Sequence, residues 1–226
     1  MADELKKIDL ETSPKKSFPW KFIVVPLGII AVIVVLIGVM LLPLRGVIAK
    51  AQDVMRVGKE AGAAIKNQDL GKSKASLLAT REQLVLLDKE YAKIKPLKMV
   101  PILGNYVADG EHAIKAGFAG LDAAGKAIEA LEPNADLLGL KGKSTFVSGT
   151  ADERIQTAVK TMNALTPKVN EMALSIDTLR KELGAIDPGR YPVNIGKIAV
   201  REPLTRAKEV VENAANLFVN AQPLLI

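Results

Sequence analysis

The stretch Phe22–Leu44 reads FIVVPLGIIAVIVVLIGVMLLPL and carries no charged residue. A helix of about 23 residues is long enough to cross the hydrocarbon core of a bilayer, which is about 30 Å thick. Lys21 and Arg45 close the stretch on its two sides, and a charge in its middle would cost about 2.5–3.5 kcal/mol on insertion. The sequence therefore predicts one transmembrane helix over 22–44, with the lipid bilayer as its partner.

A small set of residues within or beside this stretch is expected to anchor the chain: Trp20, Phe22, Ile29, Val34, Leu36 and Leu44. Trp20 has the amphipathic ring that is enriched at membrane–water interfaces. A cleaved signal peptide is the alternative interpretation, since Ala49-Lys50-Ala51 offers a small-x-small pattern to a peptidase. The apolar core of a signal peptide spans about 7–15 residues, so the longer run here favours an uncleaved anchor.

Residues 1–21 are polar, contain two prolines and mix both charge signs, which is typical of a short disordered tail. The tail lysines favour a cytoplasmic location, but Arg45, Lys50, Arg56 and Lys59 follow the stretch at nearly equal density. The positive-inside rule counts both sides, and large domains are translocated largely regardless of their charge. We expect a single-pass protein of the cell membrane, with a cytoplasmic N-terminus and an extracytoplasmic helical domain.

Residues 45–131 are predicted to form a helical hairpin followed by a glycine-rich helix. The first helix continues from the apolar stretch, and the polar step Asn67-Gln68-Asp69 ends it. The second helix is expected over about 69–95. Its seven-residue spacing of apolar residues is typical of a narrow coiled-coil seam against an antiparallel partner, and the seam consists of Leu70, Leu77, Leu84 and Tyr91.

The glycine-rich helix is expected over about 102–131. Each interior glycine costs roughly 1 kcal/mol relative to alanine, so glycines such as Gly117 and Gly120 need a compensating cause. Close approach of a neighbouring backbone is the simplest cause, and the two residues are therefore assigned to helix packing. A ligand groove lined by glycine is the alternative.

Residues 132–149 (EPNADLLGLKGKSTFVSG) are predicted to form a loop. Within the loop, the stretch 139–144 ends in Gly142-Lys143-Ser144 and resembles a phosphate-binding loop, but Leu137 stands where that motif needs its first glycine. The segment also follows helical sequence, whereas the motif follows a strand. A flexible basic loop is the favoured interpretation.

Residues 150–226 are predicted to form a second helical hairpin. Thr150 and Glu153 have the spacing of a capping box, and a long apolar stripe follows them. The prolines and glycines of Gly184–Lys197 favour a turn segment, after which a last helix should run to about Asn220. Because the chain closes on the apolar run Pro223–Ile226, we expect it to be the front part of a longer product.

Taken together, these patterns predict an all-α protein: a single N-terminal transmembrane helix followed by an antiparallel bundle of about four to five long amphipathic helices.

The composition offers little material for catalysis. There is no cysteine and one histidine, His112, which we expect to be a solvated residue on a helix surface. No metal-ligand spacing and no strand-to-helix turn for a nucleophilic serine is found. The net charge of +6 is spread among acids along the chain, which is typical of a solvated surface and not of a nucleic-acid interface. The sequence predicts no enzyme activity, no cofactor and no nucleic-acid partner.

The order of several features resembles the front part of the DUF4012 family of bacterial membrane proteins. These features are the apolar anchor, a helix that opens with Asp69-Leu70 and carries Ala75, the turn Val100-Pro101-Ile102-Leu103-Gly104 and the motif Asp187-Pro188-Gly189-Arg190. The resemblance covers about residues 44–226. It implies a single-span protein whose helical extracytoplasmic segment precedes a larger α/β domain, and it assigns no catalytic residue to this chain.

Three functions fit these expectations. The leading hypothesis is a membrane-anchored, non-enzymatic helical scaffold, stalk or assembly module of the cell envelope, with a homo-oligomer or an envelope protein as a further partner. The first alternative is a periplasmic helical-bundle sensor that binds a small ligand between helices. The second alternative is the regulatory front part of a longer envelope enzyme.

Overall fold

The computed structural model describes residues 21–135, 140, 150–196 and 198–225, and in the first helix it describes the side chains of 24–36 and 38–39. Within these residues the α-helices are α1 Lys21–Leu41, α2 Leu44–Lys66, α3 Leu70–Ala92, α4 Leu103–Leu131, α5 Ala151–Ala185 and α6 Arg201–Leu225. Short 3-10 helices cover Lys95–Met99, Glu132–Asn134 and Pro188–Arg190. The prediction of an all-α fold is confirmed.

The chain divides into two units, Met1–Val39 and Met40–Ile226. In the first unit, every described side chain of α1 is exposed, and the large apolar ones have 46–64% of their surface exposed. Considering the described residues alone, no helix is both long enough and apolar enough to cross a membrane. The transmembrane helix predicted over 22–44 stays a prediction.

In the second unit, α2 and α3 form the predicted antiparallel hairpin. The Asp69 side chain caps α3 by accepting a hydrogen bond from the Lys72 backbone N–H at 2.9 Å. A Cβ atom added to Gly46 near the start of α2 would lie 2.8 Å from Glu90 Oε2, near the end of α3. The beginning of one helix therefore lies beside the end of the other.

Helix α4 packs antiparallel to α3. Two ion pairs between them show this direction: Arg81 pairs with Asp122, and Lys74 pairs with Glu132 at 2.7 Å. Together α2, α3 and α4 enclose one hydrophobic core. Its buried residues are Val47, Leu84, Leu87, Tyr91, Ile94, Leu97, Val107 and Ile114. This core brings the start of α2, the end of α3 and the first half of α4 together at one end of the unit.

The predicted capping box is present, and it starts α5: the Thr150 side chain accepts from the Glu153 N–H while the Glu153 carboxylate accepts from the Thr150 N–H. Helix α5 packs antiparallel to α4, as the pairs Lys168–Glu129 at 3.5 Å and His112–Glu182 at 2.6 Å show. Helix α6 packs antiparallel to α5, as the pair Arg180–Glu212 at 3.7 Å and the hydrogen bond from Lys208 Nζ to the Gly184 carbonyl at 3.2 Å show. In the second unit, consecutive long helices are thus antiparallel neighbours, and the predicted bundle is confirmed at this level.

Two boundaries in the last hairpin differ from the sequence prediction. The segment 184–197 was expected to be a plain turn, yet two-residue strands, β1 Asn194–Ile195 and β2 Ile198–Ala199, form an antiparallel pair within and beside it. Helix α6 ends at Leu225 and not at about Asn220. Strands of two residues are too short to produce an alternating pattern, and Pro223, which lies within the last turn of α6, is a residue that normally ends a helix.

Candidate functional site

A buried carboxylate lies near the beginning of α4. Asp109 is 2% exposed, and its Oδ1 accepts a hydrogen bond from Arg190 Nη1 at 2.9 Å. Its Oδ2 accepts one from the Tyr191 hydroxyl at 3.2 Å. We call Asp109, Arg190 and Tyr191 the Asp109 cluster. It ties the connection between α5 and α6 to α4.

Local backbone structure places the two donors of the Asp109 cluster. The Asp187 side chain accepts a hydrogen bond from the Gly189 N–H at 2.9 Å and starts the 3-10 helix that carries Arg190. The Tyr106 hydroxyl donates to the Arg190 carbonyl at 3.0 Å. Arg201 Nε, from the first turn of α6, donates to the Tyr191 carbonyl at 2.8 Å. The cluster is therefore braced from both α4 and α6.

The electrostatics of the Asp109 cluster favour a fixed ion pair. Burying a carboxylate is costly unless it is paired and hydrogen-bonded, and here both oxygens have a donor. Burial, followed by the negative charge of Asp109, raises the pKa of the Tyr191 hydroxyl well above its usual range. Tyr191 therefore stays protonated and keeps donating at neutral pH. The arrangement suits structural support better than proton transfer.

Tyr91 is buried at the same end of the unit. It donates a hydrogen bond to the Val107 carbonyl oxygen at 2.6 Å. Burial, and then the charges of Glu111 and Asp109, raises the pKa of Tyr91 to about 12. The neutral phenol joins the end of α3 to the first turns of α4.

His112 differs from the prediction of a solvated surface residue. It is partly buried, and its Nδ1 lies 2.6 Å from Glu182 Oε2 on α5. The two residues are 70 positions apart, so no local pattern in the sequence could pair them. His112 thus contributes to the contact between α4 and α5.

A groove of about 330 Å³ lies between α3, α4 and α5. Leu77, Leu121 and Ile128 supply apolar lining, and Gly125 lies open to the groove because nothing would meet its Cβ within 4 Å. The polar rim is internally paired: Arg81 binds Asp122, and Lys126 Nζ donates to the Glu171 carbonyl at 3.0 Å. The groove is large enough for a small ligand.

The helix-packing residues predicted from the sequence lie in different environments. Leu84 and Tyr91 are buried in the core, and a Cβ on Gly117 would lie 3.0 Å from Leu84 Cδ2. Gly120 faces Leu179 of α5, at 3.8 Å from the same hypothetical atom. The other two seam residues do not join that core: Leu77 lines the groove, and Leu70 lies half-buried at the start of α3, where its N–H donates to the Leu140 carbonyl at 2.8 Å.

The predicted anchor residues fall mainly in α1. Ile29, Val34 and Leu36 are exposed there, and Leu44 is an exposed first residue of α2. Phe22 belongs to α1, but its side chain lies outside the described ones, and Trp20 lies outside the described residues altogether. The loop predicted over 132–149 is described at 132–135 and 140, so most of the segment that resembles a phosphate-binding loop lies outside as well.

Sequence reasoning missed the Asp109 cluster. No pattern in the sequence marked Asp109, because it stands two positions before another acid, Glu111, and lies about 200° around α4 from the buried Val107. Its partners, Arg190 and Tyr191, follow a proline-glycine turn more than 80 positions later. Such a pairing requires the fold to be known first.

Among the described residues, no group of three or more His, Cys, Asp or Glu side chains could hold a metal ion. No protein-family model, curated protein or solved structure matches the chain. The resemblance to the DUF4012 family therefore stays an expectation, and function has to be argued from the geometry.

Proposed function

We propose that this chain is a non-enzymatic, membrane-anchored helical scaffold or assembly module of the cell envelope. Residues 22–44 are its anchor in the lipid bilayer, and the antiparallel helices of 44–225 are its extracytoplasmic body. The observation that carries the proposal is the surface of α1, on which apolar side chains are exposed on every side.

Helix α1 has a length and a surface that suit a bilayer. Its 21 residues would extend about 31 Å at 1.5 Å per residue, which is close to the thickness of a hydrocarbon core. A helix that is apolar all round is stable when it is surrounded by lipid or by a protein core. Since the described side chains of α1 are exposed, lipid is the partner that this surface fits best.

The body has features that suit a rigid support. Ion pairs join adjacent helices at several levels, and the Asp109 cluster fixes the last connection to α4. Two side chains that could take part in proton transfer instead join neighbouring helices: His112 contacts Glu182, and the Tyr91 hydroxyl donates to the Val107 carbonyl. Such a body can hold a partner at a set distance from the membrane without carrying out a reaction.

The first experiment tests the anchor. Val34→Lys combined with Leu36→Lys places two charges near the middle of the segment, and each charge there costs about 2.5–3.5 kcal/mol on insertion. We expect the wild-type chain to remain in membranes after alkaline carbonate extraction and the double variant to be released. The control, Val34→Ile with Leu36→Ile, should remain. Equal retention of the charged variant would contradict the proposal.

Orientation and assembly are tested on the same membranes. Protease added outside intact cells should cut the chain beyond Arg45, and the native molar mass in detergent should exceed that of one chain if the scaffold assembles through its helices. A protected body would place it in the cytoplasm. A monomer that also binds no envelope protein would contradict the assembly role.

The groove between α3, α4 and α5 favours the sensor as the second candidate. A ligand held there would contact Leu77 and Leu121, and Gly125→Leu would fill the space. If a screen of small metabolites finds binding that Gly125→Leu abolishes and Gly62→Leu leaves intact, the sensor is favoured. Gly62 is a matched control because nothing lies within 4 Å of its Cβ position either.

A further inference from the structure

The turn between α3 and α4 displays apolar side chains to an unusual degree. Met99 is 90% exposed and Ile102 is 80% exposed, the highest values among the large apolar residues that the structure describes. We call residues 99–102 the apical turn. Single exposed apolar residues are common on protein surfaces, but two this exposed within four positions form a small projecting patch.

The backbone at Ile102 adopts a strained conformation in the apical turn. Ile102 has φ 72° and ψ −50°, and the Leu103 N–H donates to the Pro101 carbonyl at 2.9 Å. These values define the classic γ-turn, which is rare and strained, and a β-branched residue with positive φ is an outlier. Gly104 completes the turn, because a Cβ there would collide with the Lys98 carbonyl oxygen.

The apical turn lies at the end of the body where the chain enters from the apolar segment. Val47, in the first turn of α2, shares the hydrophobic core with Ile94 and Leu97, which immediately precede the turn. Helix α2 begins at Leu44, three positions after α1 ends. Residues 22–44, the proposed membrane segment, therefore join the body at this end.

The charges around the apical turn suit a lipid surface. Three lysines, Lys93, Lys95 and Lys98, precede the apical turn, and residues 93–104 contain no acid. Lys93 and Lys98 have acidic partners in Glu90 and Glu111, whereas Lys95 has none within 4.0 Å among the described residues. Basic residues beside apolar tips are attracted to anionic headgroups while the tips enter the interface.

We propose that the apical turn inserts Met99 and Ile102 into the headgroup region of the bilayer that anchors the chain. This inference rests on the proposed function, since it requires that residues 22–44 lie in the membrane. A second attachment to the bilayer, in addition to the anchor, restricts the tilt of the body relative to the membrane, which a single helix cannot do alone.

The test uses the full chain, which contains no cysteine, reconstituted into vesicles that contain anionic phosphatidylglycerol. Single variants Met99→Cys and Ile102→Cys carry an environment-sensitive fluorophore. Met55→Cys and Ile65→Cys are matched controls on α2, because both residues are exposed and apolar but lie about 16 Å and about 31 Å along the helix from Leu44. Leu36→Cys reports on the anchor.

We expect labels at 99 and 102 to be blue-shifted and to be quenched by lipids that carry a spin label near the headgroup. Labels at 55 and 65 should be quenched by aqueous iodide instead. Quenching by lipid at 36 without quenching at 99 and 102 would overturn this inference and leave the anchor standing. Protection from both quenchers at 99 and 102 would indicate a protein contact and would also overturn it, and no lipid quenching at 36 would remove both proposals.

Discussion

At the scale of single residues, Asp109 carries the highest cost if it loses its partners. Arg190→Ala would leave a buried carboxylate with one neutral donor, and removing one member of a buried pair typically costs about 3–5 kcal/mol. Because Arg190 itself is 38% exposed, we expect about 3 kcal/mol, measured by urea unfolding in mild detergent. Arg206→Ala is the control, since Arg206 and Glu202 are exposed, and it should change little.

A rescue experiment distinguishes two causes of instability in Arg190→Ala, the uncompensated charge of Asp109 and the loss of packing by the Arg190 side chain. In the Arg190→Ala background, Asp109→Asn removes the uncompensated charge and should restore part of the lost stability. If the double variant is as unstable as the sum of the two single variants, the ion pair is not the source of the effect.

The raised pKa of Tyr91 predicts that the stability of the fold decreases at alkaline pH. Its pKa of about 12 in the folded chain lies above the usual value of about 10. A group whose folded pKa is raised contributes stability that is full below the unfolded pKa and is lost as pH rises through the folded one. The wild type should therefore lose stability between about pH 10 and 12, and Tyr91→Phe should lose less over that interval.

The same substitution has a separate effect at neutral pH. Tyr91→Phe leaves the buried Val107 carbonyl without the donor that now lies 2.6 Å away. Because that carbonyl lies inside α4 and keeps its helical hydrogen bond, we expect a loss of about 0.5–1.5 kcal/mol, measured by thermal or urea unfolding at pH 7. An unchanged stability at pH 7 together with an unchanged alkaline profile would show that the hydroxyl has no role in the contact between α3 and α4.

Ile102 provides a case in which glycine should stabilise the fold. The positive φ of Ile102, 72°, lies in a sparsely populated backbone region, and a residue held there destabilises the fold by about 1–3 kcal/mol. The Ile102 side chain is mostly exposed, so its packing offsets little of this cost. Ile102→Gly should therefore raise the free energy of unfolding by about 1 kcal/mol. Ile65→Gly, within the regular helix α2, should lower it by a similar amount, and equal effects at both positions would contradict the strain argument.

At the scale of the elements, the glycines of α4 divide into two groups. A Cβ on Gly110 would collide with the Tyr91 hydroxyl, whereas nothing lies within 4 Å of the same atom on Gly125. Gly110→Ala should therefore destabilise the protein by about 1–3 kcal/mol, and Gly125→Ala should stabilise it by up to about 1 kcal/mol through helix propensity. Thermal unfolding of the two variants checks both signs, and a stabilising Gly110→Ala would refute the packing explanation.

The elements also show what the sequence could and could not predict. The capping box at Thr150 and the antiparallel hairpins follow from local chemistry, and they are present. The sequence analysis placed Asp69 at the start of the second helix, and the structure adds that its side chain caps that helix. The heptad seam was predicted as one stripe, but α3 is flanked by two different helices, so Leu84 and Tyr91 enter the core while Leu77 faces the groove. Contacts such as His112–Glu182 and Arg190–Asp109 depend on the tertiary arrangement and leave no local pattern.

At the scale of the whole molecule, stability is unevenly distributed within the unit 40–226. The hydrophobic core lies between α2, α3 and α4. Ala215 is the buried residue of α6 among those whose side chains are described. Over the part of α6 whose side chains are described, polar links also attach it: Lys208 Nζ donates to the Ile186 carbonyl at 2.7 Å, and Arg201 donates to the Tyr191 carbonyl. Such a region opens at lower free energy than the core does.

Native-state amide hydrogen exchange should reveal this difference and the part that Arg190 has in it. In the wild type, amides of α3 and α4 should exchange most slowly and those of α6 faster. In Arg190→Ala, exchange should accelerate in 186–200 and in α6, because the link from that connection to Asp109 is lost, while α2 and α3 keep most of their protection. Uniform acceleration over all helices would instead mean that the unit 40–226 opens as one cooperative body, and the Asp109 cluster would then support the whole fold and not one connection.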